Sequence, residues 1–390
     1  MIDILAVSHS CLIQTNRAIY RELKNIGWKI ELLIPDKIVL GKNDQYCESR
    51  TSDDPPIHNL KLTSSHPRFS TYEGLTKLLN RLHPKIILLD NGPATFQAIQ
   101  IGLWARLNKV KVVCQACDNL LPNLFLELLK GHFRSFMNTL ATYLLSRISM
   151  NNIDHIFVIS FDGLQVMNYL GFSDRVTQIP LGFDPKLFFY NENLRNKIRS
   201  KLGLKDTTIA YFGRLNYQKG VHILINALTA IKDLPWHFLM DRFEKYKDSY
   251  SKEIEDLIEK NKLQGRIIYF DAKHEEMSGY MNAADIVVVP SISTTTWKEQ
   301  YGRVAPEAMA CRKLVIVSDC GTLPELVKDT GIIFPENDVD SLTQILQDSI
   351  INQEVINKLA TIAEKRAIEL LSINRQKEIM NQVFETYLSK

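Results

Sequence analysis

No G-x-G-x-x-G and no G-x-x-x-x-G-K-[ST] occurs anywhere in the 390 residues. The first absence removes the fingerprint of a dinucleotide-dependent dehydrogenase, and the second that of a P-loop kinase or ATPase. Cysteine is sparse: six residues (Cys11, Cys47, Cys114, Cys117, Cys311, Cys320) lie scattered, without the spacing of a disulfide framework. Cys114 and Cys117 form a lone C-x-x-C at the end of an expected strand. A zinc site needs a second pair and a redox site a helix start, so small core residues are the reading. Charge of one sign is lacking too. The 47 basic and 44 acidic side chains leave a formal +3, which gives no ground for a nucleic-acid partner. No apolar run is long enough to span a bilayer. The opening MIDILAVSHS runs into a strand rather than through the charged and apolar regions of a leader. The expectation is a cytoplasmic chain in a reducing compartment, with a peripheral position on the inner face of the membrane as a variant.

What is present suits two α/β domains. The length exceeds one ordinary core, and 45% hydrophobic with 23% charged residues describes a globular protein. Ile2–Val7 is a short apolar strand, and Thr15–Ile26 places Ile19, Leu23 and Ile26 at helical spacing before Gly27. Lys29–Pro35 is a second strand. Residues 41–72 are polar, contain Pro55-Pro56 and read as a long loop. Regular structure is expected to resume with Ile86–Asp90, a helix near Ala94–Leu107 and the strand Val110–Cys114. His155–Ser160 and Arg175–Pro180 then bracket a helix over Asp162–Leu170. A change of unit falls at Leu181-Gly182-Phe183-Asp184-Pro185. A second series follows, with strands at Thr208–Phe212, Trp236–Met240, Arg266–Phe270, Asp285–Pro290 and Leu314–Ser318, and with helices over Gln353–Leu388. Strands alternating with helices give parallel sheets, so the expected fold is α/β, two Rossmann-like doubly wound domains facing an interdomain cleft. The expected boundaries are 1–184 and 185–372, with a C-terminal helix over 373–390 packing back on the first domain.

Chemistry is densest in two segments. Gly213-Arg214-Leu215-Asn216-Tyr217-Gln218-Lys219-Gly220 follows the strand TIAYF. A guanidinium and an ammonium on one such turn can converge on a diphosphate and stabilise charge growing on a leaving group. The other segment, EQYGRVAPEAMA, places Glu299 on a loop and Glu307 at a helix start, seven residues between them. Helix starts at the carboxyl ends of parallel strands favour phosphate. The two carboxylates can accept hydrogen bonds from sugar and ribose hydroxyls beside that phosphate.

Together these segments resemble the retaining GT-B glycosyltransferases of family 4 (glycosyl transferases group 1), whose marks are a Gly-Arg-Leu…Lys-Gly turn and a Glu-x7-Glu segment. The similarity extends through PLGFDPKLF, MNAADIVVVPS, VIVSDCGTLPEL and Gly331-Ile332-Ile333-Phe334, most of residues 178–335. The resemblance implies a hexosyltransferase-type enzyme that moves a sugar, with retention, from a nucleotide-diphosphate donor to a hydroxyl of a saccharide or lipid-linked acceptor, in cell-surface polysaccharide or glycan biosynthesis. It implies that Arg214 and Lys219, beside Gly213, hold the donor diphosphate and that Glu299 contacts the transferred sugar. It further implies that Glu307 binds the ribose and that the backbone at Tyr301, Gly302, Arg303 and Val304 cradles phosphate oxygens. The mechanism implied is front-face, with no tightly bound cofactor and no metal required.

Four positions depart from that pattern. The turn after the first strand is Ser8-His9-Ser10-Cys11, without glycine. Cys117 stands where many members carry histidine. Asp241-Arg242-Phe243 replaces a Gly-x-Gly turn, and Pro306 directly precedes Glu307, where only a first helical turn accommodates it. His9, Asp118 and Asn119 end strands of the first half and are candidates for the acceptor side, each with a structural role as the alternative. Asp338-Val339-Asp340 looks like a metal-binding D-x-D, but it precedes a helical run and reads as a cap. Residues Leu120–Ile148, apolar with Lys130, Arg134 and Arg147, fit a membrane surface; a helix packed on its own domain is the commoner case. Two other functions share the architecture, a nucleotide-sugar epimerase and a non-catalytic GT-B subunit.

Overall fold

The structure, a computed structural model, describes residues 1–40, 43–66, 68–121, 133–241 and 249–388. Packing divides the chain into two units, Met1–Pro180 with Ile373–Lys390, and Leu181–Ser372. The first unit runs through Ile4–Val7 (β1), Ala18–Asn25 (α1), Ile30–Pro35 (β2), Lys37–Leu40 (β3), Asn43–Tyr46 (β4), Ile57–Leu60 (β5) and Leu75–Leu82 (α2). It continues through Ile86–Leu89 (β6), Phe96–Asn108 (α3), Lys111–Ala116 (β7), Phe133–Ser149 (α4), His155–Val158 (β8), Phe161–Leu170 (α5) and Val176–Gln178 (β9). Among the described residues the main sheet has the order β5-β2-β1-β6-β7-β8-β9, with every pairing parallel. Its inner strands are apolar on both faces: ILAV of β1 and IILL of β6 are wholly buried, as a sheet covered by helices on both sides requires. The chain moves outward from β1 to β2 and β5, then returns to β6. The switch point of the sheet therefore lies between β1 and β6.

Residues 41–72 are not the continuous loop their polarity suggests. They hold β4, which pairs antiparallel with β3, and β5, whose IHNL lies on the sheet edge and pairs only with β2. An edge strand buries little and needs no apolar run, so its sequence carries no strand signal. Helix α2 begins before the expected resumption at Ile86; its eight residues bury Leu75, Leu78 and Leu79. Two turns are too few for periodicity to stand out. Elsewhere local chemistry sets the boundaries. Thr95 Oγ1 accepts from Ala98 N at 3.1 Å to start α3, and Ser160 Oγ accepts from Gly163 N at 3.0 Å to start α5.

The second unit comprises Glu192–Leu202 (α6), Thr207–Tyr211 (β10), Val221–Ala230 (α7), Trp236–Asp241 (β11), Ser249–Lys260 (α8), Ile267–Phe270 (β12) and Met277–Ala283 (α9). There follow Ile286–Val289 (β13), Val304–Ala310 (α10), Leu314–Ser318 (β14), Leu323–Val327 (α11), Ile332–Phe334 (β15), Val339–Ile351 (α12) and Gln353–Arg366 (α13). Its parallel sheet has the order β12-β11-β10-β13-β14-β15, which puts the switch point between β10 and β13. At the opposite, amino end of these strands, Asp285 accepts from Arg195, Arg199 and the Thr208 N–H. Lys313 is buried there against the carbonyls of Asn282 and Ala284 at 3.1 and 3.2 Å, and burial pushes its ammonium down to about 7. Asp338 caps α12, its Oδ1 accepting from Ser341 N at 2.8 Å, as the capping reading of D-x-D requires.

After α13 a π-helical turn, Ala367–Leu371, leads to Ile373–Leu388 (α14). This last helix joins the first unit's core, where Ile373, Met380 and Phe384 pack with Ile4, Leu32 and Phe157. Trp28 Nε1 donates to Asn381 Oδ1 at 2.8 Å. Phe384 is fully buried, so its truncation to alanine would cost roughly 3–5 kcal/mol.

Candidate functional site

The two chemistry-bearing segments occupy the loops that leave β10 and β13, the neighbouring strands of the second unit's switch point. Their proximity is therefore a consequence of strand order. Backbone contacts fix it. Ile292 N donates to Gln218 O at 2.8 Å. Gly220 has φ +65°, and a Cβ there would stand 1.8 Å from Pro290 O. Only glycine combines that left-handed backbone with so close an approach. Asn216 opens the short turn before it, its Oδ1 accepting from Lys219 N at 3.2 Å. Lys219 is thereby aimed at the second loop. Its Nζ lies 2.5 Å from Glu299 Oε2 and 5.2 Å from the ring centre of Trp297.

Glu299 is buried, at 6% exposure, and its position is over-determined. Ser291 Oγ donates to Oε2 at 2.8 Å. Its N–H faces Cys320 Sγ at 3.3 Å, and its carbonyl accepts from Thr322 N at 3.2 Å. A Cβ on Gly321, at φ +57°, would lie 2.1 Å from that carbonyl oxygen. The turn after β14 thus clamps the Glu299 backbone while Lys219 and Ser291 hold its carboxylate. Charged partners on a nearly dry carboxylate give a fixed acceptor with strong directionality.

The remaining expected residues are placed as follows. Gly213 adjoins the buried Tyr211, whose hydroxyl donates to Arg214 O at 2.8 Å. The Arg214 side chain is exposed and has no partner among the described residues. Burial holds the Tyr211 phenol well above its ordinary value; Glu299 reinforces this and Arg214 opposes it, so both charges lie within electrostatic reach of one ring. Gly302 packs on Glu299 Cγ and Leu323. Tyr301 is buried, at 4% exposure, with its hydroxyl near the Leu181 backbone. Arg303 and Val304 open α10, where Ala305 N donates to Gly302 O at 2.9 Å and Glu307 N to Arg303 O at 3.3 Å. Pro306 falls in that first turn, where no N–H is needed. Glu307 retains some accessible surface, yet burial pushes its carboxyl up to about 8, against the opposing pull of Arg303. Lys219 and Gly302 thus each pack on Glu299, while Arg214 stands on the loop of Lys219 and Glu307 on the helix that follows Glu299. Ser291, Trp297, Cys320 and Thr322 join the site without having been expected. Their signal was the loop position alone, since serine, threonine and cysteine carry no spacing of their own.

In the first unit, the three candidates lie on loops at the carboxyl ends of β1 and β7. Ser8 and Ser10 donate to Asp90 Oδ2 at 2.6 and 2.7 Å, and Ser8 Oγ accepts from Cys11 N at 3.3 Å. These hydroxyls close a turn that contains no glycine. His9 packs edge-on against Tyr72 at 5.9 Å; its Nε2 is buried without a partner, and burial pushes it down to about 4, so the ring is neutral. Asp118 lies 3.5 Å from where a Gly92 Cβ would stand, and burial raises its carboxyl against the pull of Arg68. Asn119 is buried. Cys114 is buried in β7 and Cys117 lies just past its end. At the end of β11 Asp241 is buried, while Arg242 and Phe243 lie outside the described residues, as does Lys130.

Comparison with known proteins agrees with this architecture. An uncharacterised glycosyltransferase from Methanocaldococcus jannaschii is 34% identical over 148 residues, 37% of this chain and 38% of that protein. The lipopolysaccharide 1,2-N-acetylglucosaminetransferase of Salmonella typhimurium is 27% identical over 203 residues, 50% of this chain and 49% of that protein. The chain thus spans at most about half the length of these curated relatives. The crystal structure of Anabaena HepE in complex with UDP superposes with a TM-score of 0.75 over 99% of this chain and 100% of that one, at 18% identity. The chain accordingly has the GT-B fold, and its residues 194–366, which carry the whole Lys219–Glu299 site, match the glycosyl transferases group 1 family.

Proposed function

We propose that the chain is a glycosyltransferase that takes its sugar from a nucleoside-diphosphate donor bound at the second unit's switch point. The observation that carries this reading is the Lys219–Glu299 contact, 2.5 Å between two loops fixed backbone to backbone. Lys219 and the exposed Arg214 supply two cationic groups for the diphosphate, beside the positive end of the α10 dipole. Glu299 positions a hydroxyl of the transferred sugar, and Glu307 takes the ribose hydroxyls. Uridine diphosphate sugars are the first donors to try, because HepE was crystallised with UDP and with UDP-glucose.

The chemistry is transfer with retention to a hydroxyl of a saccharide or lipid-linked acceptor, in cell-surface polysaccharide or glycan biosynthesis. The sugar C1–O bond to the β-phosphate breaks and a bond from the acceptor oxygen to C1 forms on the same face. The acceptor proton passes to the departing phosphate. Glu299, already engaged by Lys219 and Ser291, acts as an acceptor that orients the sugar and not as a nucleophile. Arg214 and Lys219 neutralise the leaving diphosphate in the role a divalent cation takes elsewhere. His9 and Asp118, on the first unit's strand ends, are assigned to the acceptor side. Proton NMR of the product formed from an α-linked donor tests this: an α-glycoside supports retention, a β-glycoside contradicts it. Donor consumed to its epimer without acceptor would replace transfer by epimerisation.

A further inference from the structure

Lys219 is asked to meet a diphosphate, yet a carboxylate stands 2.5 Å from its ammonium. Glu299 cancels much of the charge that the phosphates need, so a diphosphate must compete with it for Nζ. What each group keeps when the pair is loosened decides whether both stay in place. Glu299 keeps the Ser291 hydroxyl, 2.8 Å from Oε2. Lys219 keeps the face of Trp297, with Nζ 5.2 Å from the ring centre. Neither of these second partners carries a net charge. The indole quadrupole attracts an ammonium without neutralising it, so Lys219 supported by Trp297 meets a phosphate with its charge intact.

The loop that carries the indole is tied down on both sides of the tryptophan. Thr294 N donates to Trp297 O at 2.7 Å, which closes Thr294–Trp297 on itself, and Thr296 N donates to Thr294 Oγ1 at 3.4 Å. Thr295 and Thr296 are exposed at the tip, whereas Trp297 is half-buried. Just before this turn, Ser293 donates through N and Oγ to the Glu336 carboxylate at 2.5 and 2.6 Å. Glu336 N donates in turn to Asp319 Oδ1 at 2.8 Å. The loop after β13 is thereby fastened to the loops after β14 and β15. Two residues beyond Trp297 the chain reaches Glu299, itself clamped by Cys320 and Thr322. A side chain held from both directions can fix the position of a flexible lysine, which has four rotatable bonds of its own.

We propose that Trp297 is a positioning residue for Lys219: its indole face holds the ammonium on the leaving diphosphate once a donor has drawn it from Glu299, while Ser291 keeps Glu299 aimed at the sugar. This rests on the assignment of transfer above, and the test is a double-mutant cycle read on kcat. Trp297→Leu lowers kcat by about tenfold and changes KM for the donor less. Trp297→Phe, which restores an aromatic face, recovers most of that loss. In the Lys219→Ala background Trp297→Leu lowers kcat by no more than about twofold, because the group it positions is gone. A side chain that only supports the loop, or that packs on the sugar, would cost its full factor there as well. Thr295→Ala, exposed on the same turn, transfers like wild type, and melting curves check that each variant is folded. The proposal is overturned if Trp297→Leu transfers like wild type, if phenylalanine is as poor as leucine, or if the whole loss persists without Lys219. Should Lys219→Ala itself transfer like wild type, the donor assignment falls and the positioning role with it, so the two failures are told apart.

Discussion

In the second unit the loops that leave the switch-point strands meet backbone to backbone: Gly220 on Pro290, Gly321 on Glu299, Ile292 N on Gln218 O. In the first unit the loops after β1 and β6 meet side chain to side chain, Ser8 and Ser10 on Asp90. A backbone approach as close as those at Gly220 and Gly321 admits one residue type and leaves a glycine at a fixed place, so it is visible in a sequence. A hydroxyl–carboxylate contact can be built from several residue pairs and leaves no such mark. The difference also sorts rigidity: Glu299 is clamped from four directions, whereas His9 keeps an unpaired buried nitrogen. The fixed site suits a diphosphate and sugar bound in one geometry. The first unit's loops are where acceptor specificity is expected to vary.

The largest expected effect comes from breaking the fixed site. Lys219→Ala and Glu299→Ala each lower kcat by about 10²–10³-fold, measured as sugar transfer, with the fold retained by circular dichroism. Next is the backbone contact. Gly220→Ala should destabilise the chain by about 3 kcal/mol or more. Gly203→Ala, at nearly the same φ (+67°) but with open space around its Cβ, should cost about 1 kcal/mol. Urea titration of both variants isolates the contact with Pro290. In the first unit, Asp90→Asn keeps one oxygen for the Ser8 and Ser10 hydroxyls but removes its charge, at about 1 kcal/mol. Calorimetry should show donor affinity unchanged, which is the sharpest contrast with Lys219→Ala.

A smaller effect follows from Glu307, whose carboxyl burial lifts from 4.5 to about 8. Between those values the folded chain keeps a proton that the unfolded chain has released. Stability therefore falls as pH rises through that window. Glu307→Gln removes this contribution to the slope. Parallel melting curves from pH 5 to pH 8 for wild type and variant would show whether the slope differs, and equal slopes would remove Glu307 as its source.

Much of this was legible in advance where burial is two-sided. The strands Ile4–Val7, Ile86–Leu89 and Ile286–Val289 are unbroken apolar runs because helices cover both faces of each sheet. Lys219 and Glu299 were legible because their loops carry the glycines and cations that the close approach demands. Ile57–Leu60 was not, because an edge strand half in solvent has no pattern to show. Asp90 was hidden for a different reason. A carboxylate at a strand end is ordinary until strand order sets it beside Ser8, and no local spacing encodes that order.

The central claim is that Arg214 and Lys219 hold the diphosphate of a nucleotide sugar, and calorimetric titration tests it most directly. UDP-, GDP-, ADP- and dTDP-sugars are titrated into the wild type and into Arg214→Ala, which removes an exposed guanidinium without touching Glu299. The account predicts that one nucleotide sugar binds the wild type and that Arg214→Ala weakens it by about tenfold or more. No heat with any of the four, or equal affinity in the variant, would contradict it.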